Sequence, residues 1–145
     1  MGTSRAQINP EIPGRSLGLS AKSSGELIRQ VERGFSFAAL RNLETRSGIT
    51  VPRLAEIIGI PERTLARRKA GGRLTTDESE RLLRIARVFE KAVDLFEGNG
   101  SEALDWLNSP KKALDNHVPL TYSRTELGAR EVENLIGRLE YGVFS

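Results

Sequence analysis

The sequence predicts an all-α protein, a helix-turn-helix domain followed by a small helical domain. Three observations lead there. No stretch sustains the period-two alternation of a half-buried strand. Leu82, Ala86, Phe89, Val93 and Phe96 recur at alternating steps of four and three, the stripe of an amphipathic helix. Glycines and prolines punctuate the chain at Gly34, Gly48, Gly59, Gly71-Gly72, Gly98 and Pro110, spaced to suit short helices.

Each element follows from these signals. Residues 1–23 hold two prolines, three glycines and four serines, with few large apolar side chains, and are expected to be a flexible N-terminal arm. Residues 25–33 form a helix with Leu27, Ile28 and Val31 inward, and residues 36–47 a second with Phe37, Leu40 and Leu43 on one stripe. Thr50 is placed to cap the third, with Pro52 in its first turn, where a missing N–H costs nothing. Leu54, Ala55 and Ile58 face inward, Gly59 breaks the helix, and Pro61 opens a fourth over 61–70. The long helix covers 76–97, capped by Thr76 or Asp77, with Glu78 and Glu80 near its positive end. Gly98-Asn99-Gly100 marks a boundary, giving domains over 24–97 and 98–145. Beyond it lie a short helix over 101–107, turns at Pro110, Asn116 and Pro119, and a last helix over 124–141 with Gly128, Val132, Leu135, Ile136 and Leu139 on one side.

A chain of 145 residues suits one domain, or two small ones sharing a core. The net charge of +3 is unevenly spread. Residues 41–91 carry 12 basic and 7 acidic groups, whereas residues 92–145 carry 5 and 9. The basic middle suits a phosphate backbone, and the acidic end calls for a different partner. There is no cysteine, so no disulfide and no thiolate metal site. No apolar run approaches the roughly 20 residues of a membrane span, and the start lacks the apolar core of a signal peptide. Met1-Gly2 begins like a myristoylation motif, but Ala6 stands where Ser or Thr is required. The expected location is cytoplasmic, with no membrane partner.

The pair 51–58 and 61–70, joined by a turn at Gly59, has the length and spacing of a helix-turn-helix, in which the second helix enters the major groove. At about 100° per residue, Arg63, Thr64, Arg67 and Arg68 share one arc, and Leu65 lies opposite as the anchor. Arginine grips guanine edges or phosphates with paired hydrogen bonds. Lys69, pointing elsewhere, and Arg73 in the following loop suit backbone phosphates. A bare charge run is usually only a solvated helix face. Here residues 61–75 carry five basic groups against Glu62 alone, where ordinary surface helices mix signs.

The run Leu54-Ala55-Glu56-Ile57-Ile58-Gly59-Ile60-Pro61-Glu62-Arg63-Thr64-Leu65-Ala66-Arg67-Arg68, with Leu74-Thr75 and Glu78-Ser79-Glu80-Arg81-Leu82, resembles the Xre/ParS/MbcA-type antitoxins that accompany RES-domain toxins. A second block resembles the family's toxin-binding domain: Ala103-Leu104-Asp105-Trp106-Leu107-Asn108-Ser109-Pro110, then Ala113-Leu114, Pro119-Leu120, Gly128, Val132, Leu135, Arg138 and Tyr141-Gly142. The resemblance spans residues 25–145; near Asp115-Asn116-His117 the family pattern would have a small residue or glycine. It implies an antitoxin that forms a homodimer, binds operator DNA to repress its own operon, and blocks a cognate RES-domain toxin that consumes NAD. It also implies that the C-terminal end reaches toward the toxin's active site. By position this assigns Arg138, Tyr141 and Gly142 to the toxin contact, which we extend to Val143, Phe144 and Ser145. Tyrosine and phenylalanine supply contact area with few rotors. Against that stands their packing onto their own domain.

No Walker A loop, dinucleotide fingerprint or nucleophile elbow is present, so neither catalysis nor a cofactor is expected. His117 reads as an idle turn residue and Trp106 as core. The dimer surface is left open between the stripe on helix 76–97 and the Phe35/Phe37 region. Two other readings remain: a plain repressor with a C-terminal sensing domain, and an interaction protein with a vestigial helix-turn-helix. Arg67→Ala with Arg68→Ala is expected to abolish operator binding and spare toxin neutralisation.

Overall fold

The fold is organised around one helix of 20 residues, Thr76–Leu95, which we call α5. The computed structural model describes residues 12–142. Before α5 come α1 (Ser24–Arg33), α2 (Ala38–Ser47), α3 (Val51–Ile57) and α4 (Glu62–Gly71). After it come α6 (Gly100–Leu107), the short α7 (Pro119–Tyr122) and α8 (Glu126–Glu140). Among the described residues the only extended pairings are isolated antiparallel bridges, Ser36 with Arg73 and Lys111 with His117. The described residues are all-helical, as their periodicity predicts.

The helix ends follow local chemistry. Ser23 caps α1, Thr50 caps α3, Asn99 caps α6 and Thr125 caps α8, each accepting a backbone N–H three residues on. The cap of α5 is Thr75, one residue before the expected position. Thr75 and Glu78 form a reciprocal capping box.

At about 1.5 Å per residue α5 is some 30 Å long, and it serves both halves of the molecule. Leu82, Ile85, Ala86, Val88, Phe89 and Ala92 are buried along it. Its flanks receive α1, α2, α6 and α8. A single apolar cluster runs from Leu17 through α2, α3 and α5 to Ile136. At Gly128 the approach of α8 to α7 is so close that a Cβ would lie 1.8 Å from the Tyr122 carbonyl oxygen. Only glycine fits there.

Expectations for the N-terminal arm, for Ile28 and for the Phe35/Phe37 surface are corrected. Residues 12–23 are no flexible arm: a 3-10 turn at Arg15–Leu17 docks on α2 and α5, and Leu17 is buried. The distant anchors of this segment, Asn42 and Glu90, do not register in local composition. Residues 1–11 lie outside the described residues. Ile28 is 55% exposed, because α1 buries only the narrow stripe of Leu27 and Val31 and the next residue turns away by about 100°. Of the two surfaces left open for dimerisation, Phe35 and Phe37 are buried in the chain's own core, as are Leu82, Ala86 and Phe89 of the α5 stripe, while Val93 and Phe96 are half-buried.

Candidate nucleic-acid interface and C-terminal docking end

The helix-turn-helix is α3, the turn Ile58–Pro61, and α4. Gly59 has φ +78°, a left-handed turn in which glycine carries no Cβ penalty. Ile60 is buried and pins the turn from within. The Ile60 amide returns to the Ala55 carbonyl at 2.8 Å. Arg81 on α5 donates to the Ile58 carbonyl at 2.6 Å, a cation on the carbonyl end of α3.

No residue of α4 is buried. Leu65 packs against the core as the wheel predicts, while Arg63, Arg67 and Lys69 are exposed and Thr64 is half-buried. Arg68 departs from the expected outward arc. Its guanidinium meets Glu78 with two hydrogen bonds, Nε to Oε1 at 2.8 Å and Nη2 to Oε2 at 3.0 Å. The two side chains are only 21% and 8% exposed. Burial works against ionisation of Glu78, but the Arg68 guanidinium and the Thr75 amide and hydroxyl outweigh it and hold its carboxyl below the usual range. Arg68 is thus a tether from α4 to α5. Arg73, exposed overall, is also engaged, donating to the Gly34 carbonyl. Of the α4 cations, Arg63 and Arg67 share the open face, and Lys69 is exposed away from them.

The other candidate contact lies at the far end of α8. This helix is set by Val132, Leu135 and Ile136 inside and by a clasp of Arg84, Arg87 and Lys91 from α5 on Glu126 and Glu133 outside. Arg138 and Gly142 are exposed, and Tyr141 is 84% exposed. Tyr141 therefore does not pack on its own domain. Val143, Phe144 and Ser145 lie outside the described residues. Asp115 and Asn116 adopt φ of +57° and +67°, the left-handed pair that explains why a glycine is expected there. His117 is exposed and stacks on Tyr122 at 4.8 Å. Trp106 is half-buried against the core, with the Lys111 ammonium 4.8 Å over its ring. Burial pushes the pKa of Lys111 down.

With this geometry in place, two family models match the chain in order. Residues 26–87 match the antitoxin Xre-like helix-turn-helix domain. Residues 91–142 match the antitoxin Xre/MbcA/ParS C-terminal toxin-binding domain. The chain belongs to the Xre antitoxin family. Its relatives in that family include an antitoxin Xre of Yersinia enterocolitica, 41% identical over 132 residues, covering 90% of this chain and 89% of that one. An antitoxin Xre of Photorhabdus laumondii is 35% identical over 97% of this chain and 95% of its own. One of Pseudomonas putida is 31% identical over 83% and 74%. Within this chain, α3 and α4 fall in the helix-turn-helix match, and α6 to α8 with Tyr141 in the toxin-binding match. Among the described residues no helix is long and apolar enough to cross a membrane.

The sequence missed the Arg68–Glu78 tether and the Arg81 cap. The pattern Thr75-x-x-Glu78 was a signal for the first, since a capping-box glutamate sits at a fixed place beside the preceding turn.

Proposed function

We propose that this protein neutralises a cognate RES-domain toxin and thereby stops its consumption of NAD. The end of α8 and the residues after it, Arg138, Tyr141, Gly142 and Val143 to Ser145, cover the toxin's active site. The protein has no catalytic part in this and acts in the cytoplasm, where NAD and operator DNA are both present. The observation that carries the reading is Tyr141: a large aromatic left 84% exposed at the tip of the helix that ends the toxin-binding match. An aromatic held out by a rigid helix is suited to anchor an interface.

The same particle represses its own operon as a homodimer. Arg63 and Arg67 read base edges, Thr64 and Lys69 contact the backbone, and Arg68 and Arg73 hold the reading helix in place. Two copies of α4 must reach grooves about 34 Å apart. Support comes from an α4 with no buried residue and three exposed cations.

The test is NAD loss catalysed by the toxin, with full-length protein and with a chain ending at Leu139. Inhibition by the first and not the second is the expected result. Equal inhibition by both would move the inhibitory element elsewhere on the domain. Inhibition by neither would favour a plain repressor.

A further inference from the structure

Residues 12–19 fall outside both family matches and have no part in the function proposed above, yet they are built firmly into the molecule. Glu90 of α5 is 5% exposed. It accepts the Gly14 amide on both oxygens at 3.1 and 3.2 Å, the Ser16 amide at 2.9 Å, and the Ser16 hydroxyl. Among the described residues no basic side chain forms an ion pair with it; Arg15 bonds to Asp94 instead, at 3.1 Å. A buried carboxylate satisfied only by donors of one segment is an anchor for that segment, because leaving it would strand a buried charge. Leu17 is fully covered, and Asn42 of α2 donates to its carbonyl at 2.9 Å.

The strap so fixed lies beside the end of α8. Pro13 and Arg15 line one wall of an open groove, and Ile136, Gly137 and Tyr141 line the other. The exposed tyrosine therefore stands on the rim of a groove that the strap helps to build. Arg15 makes one exposed contact, to Asp94, with its side chain 48% exposed. On the opposite wall Glu140 is exposed and in no ion pair among the described residues.

We propose that the strap is half of the toxin-binding face: Pro13 and Arg15 on one side and Tyr141 on the other form one composite surface, occupied by the toxin. The inference rests on the reading that the end of α8 meets the toxin. The groove also holds Asp94, paired with Arg15, and Lys91, paired with Glu133, so the chemistry of the occupant is set by its exposed rim. An acidic side chain of the toxin meets Arg15, an apolar spot meets Tyr141, and a basic group lies toward Glu140. A guanidinium with spare planar donors is suited to a carboxylate.

The experiment is calorimetric titration of the full-length protein with the cognate toxin, for wild type, Arg15→Glu, Tyr141→Ala and the double variant. Melting temperature and operator affinity are measured in parallel. Arg15→Glu is expected to weaken toxin binding about tenfold with both controls unchanged. The double variant should lose less than the product of the single losses, as for two parts of one surface. Wild-type affinity for Arg15→Glu together with weakened Tyr141→Ala would overturn the strap's role and leave the α8 reading standing. Wild-type affinity for both would overturn the two together. Weakening by Arg15→Glu alone would overturn the composite face. Glu90→Gln is a second probe that leaves Arg15 itself intact. It is expected to raise amide exchange over residues 14–18 and weaken toxin binding while sparing operator affinity; faster exchange with unchanged toxin affinity would overturn the proposal.

Discussion

The fourth and eighth helices end in opposite design solutions. α4 has no fully buried residue and is held by Leu65, the Gly59 turn, one ion pair to α5 and, just past its end, the Arg73 bond to the Gly34 carbonyl. α8 buries Gly128, Ala129, Val132, Leu135 and Ile136 and is clasped from outside by arginines of α5. A helix that lays its whole length in a groove must keep its faces open, so its own attachment is thin. A helix that offers only its tip can commit its sides to the core. Exposure of a whole helix and exposure of a helix end therefore suit the two kinds of contact proposed above.

That contrast can be broken most heavily from the α8 side. Ile136→Ala removes a fully buried side chain and is expected to cost about 2–5 kcal/mol in chemical denaturation. No substitution of an exposed α4 residue should approach that. Next comes Arg63→Ala with Arg67→Ala. Each base-reading arginine is worth about 1–3 kcal/mol of discrimination, so gel-shift binding to the operator should fall by a factor of ten or more with the melting temperature unchanged. Arg68→Ala differs in kind, since it should lower thermal stability as well as DNA affinity.

The tether has a pH signature. The folded pKa of Glu78 lies below its unfolded value, so its stabilisation is complete above the ordinary carboxylate range and is lost as pH falls through the depressed value. The melting temperature gap between wild type and Glu78→Gln should be full at neutral pH and shrink in acid. Lys69→Ala should act more gently, lowering the salt slope of DNA binding by about one unit and weakening all sequences alike. The smallest effect belongs to Arg53→Ala. Its exposed pair with Glu56 at 3.2 Å should contribute less than about 0.5 kcal/mol in thermal denaturation.

What was legible in the sequence was whatever chemistry repeats locally. The stripe on α5, the cap at Thr50 and the breaks at Gly59 and Gly98 are all short-range signals, and the helices they bound stand where these put them, whereas the short α7 stands where Pro119 marked only a turn. The open face of α4 was legible for the same reason, since Leu65 stands only two residues from Arg63 and from Arg67, about half a helix turn away on the opposite side. What escaped depended on partners distant in sequence. Glu90 and Ser16 are 74 residues apart, and no window of composition joins them. Arg68 and Glu78 are ten residues apart, but only the turn between α4 and α5 brings them together. Ile28 escaped because periodicity gives a helix's apolar side, not the width of the neighbour that covers it.

The two family matches end at residue 87 and begin at residue 91, both inside α5. The seam between the two matches is therefore a stretch of uninterrupted helix, whose last residue, Glu90, binds the N-terminal strap. A hybrid gene joining the reading half of one relative to the neutralising half of another would have to splice within that helix. A splice after Glu90 would keep anchor and strap from one parent, whereas a splice before it would part them. Viable exchange between relatives should thus carry Glu90 along with the first part of the gene, so that the crossover falls on the C-terminal side of that residue.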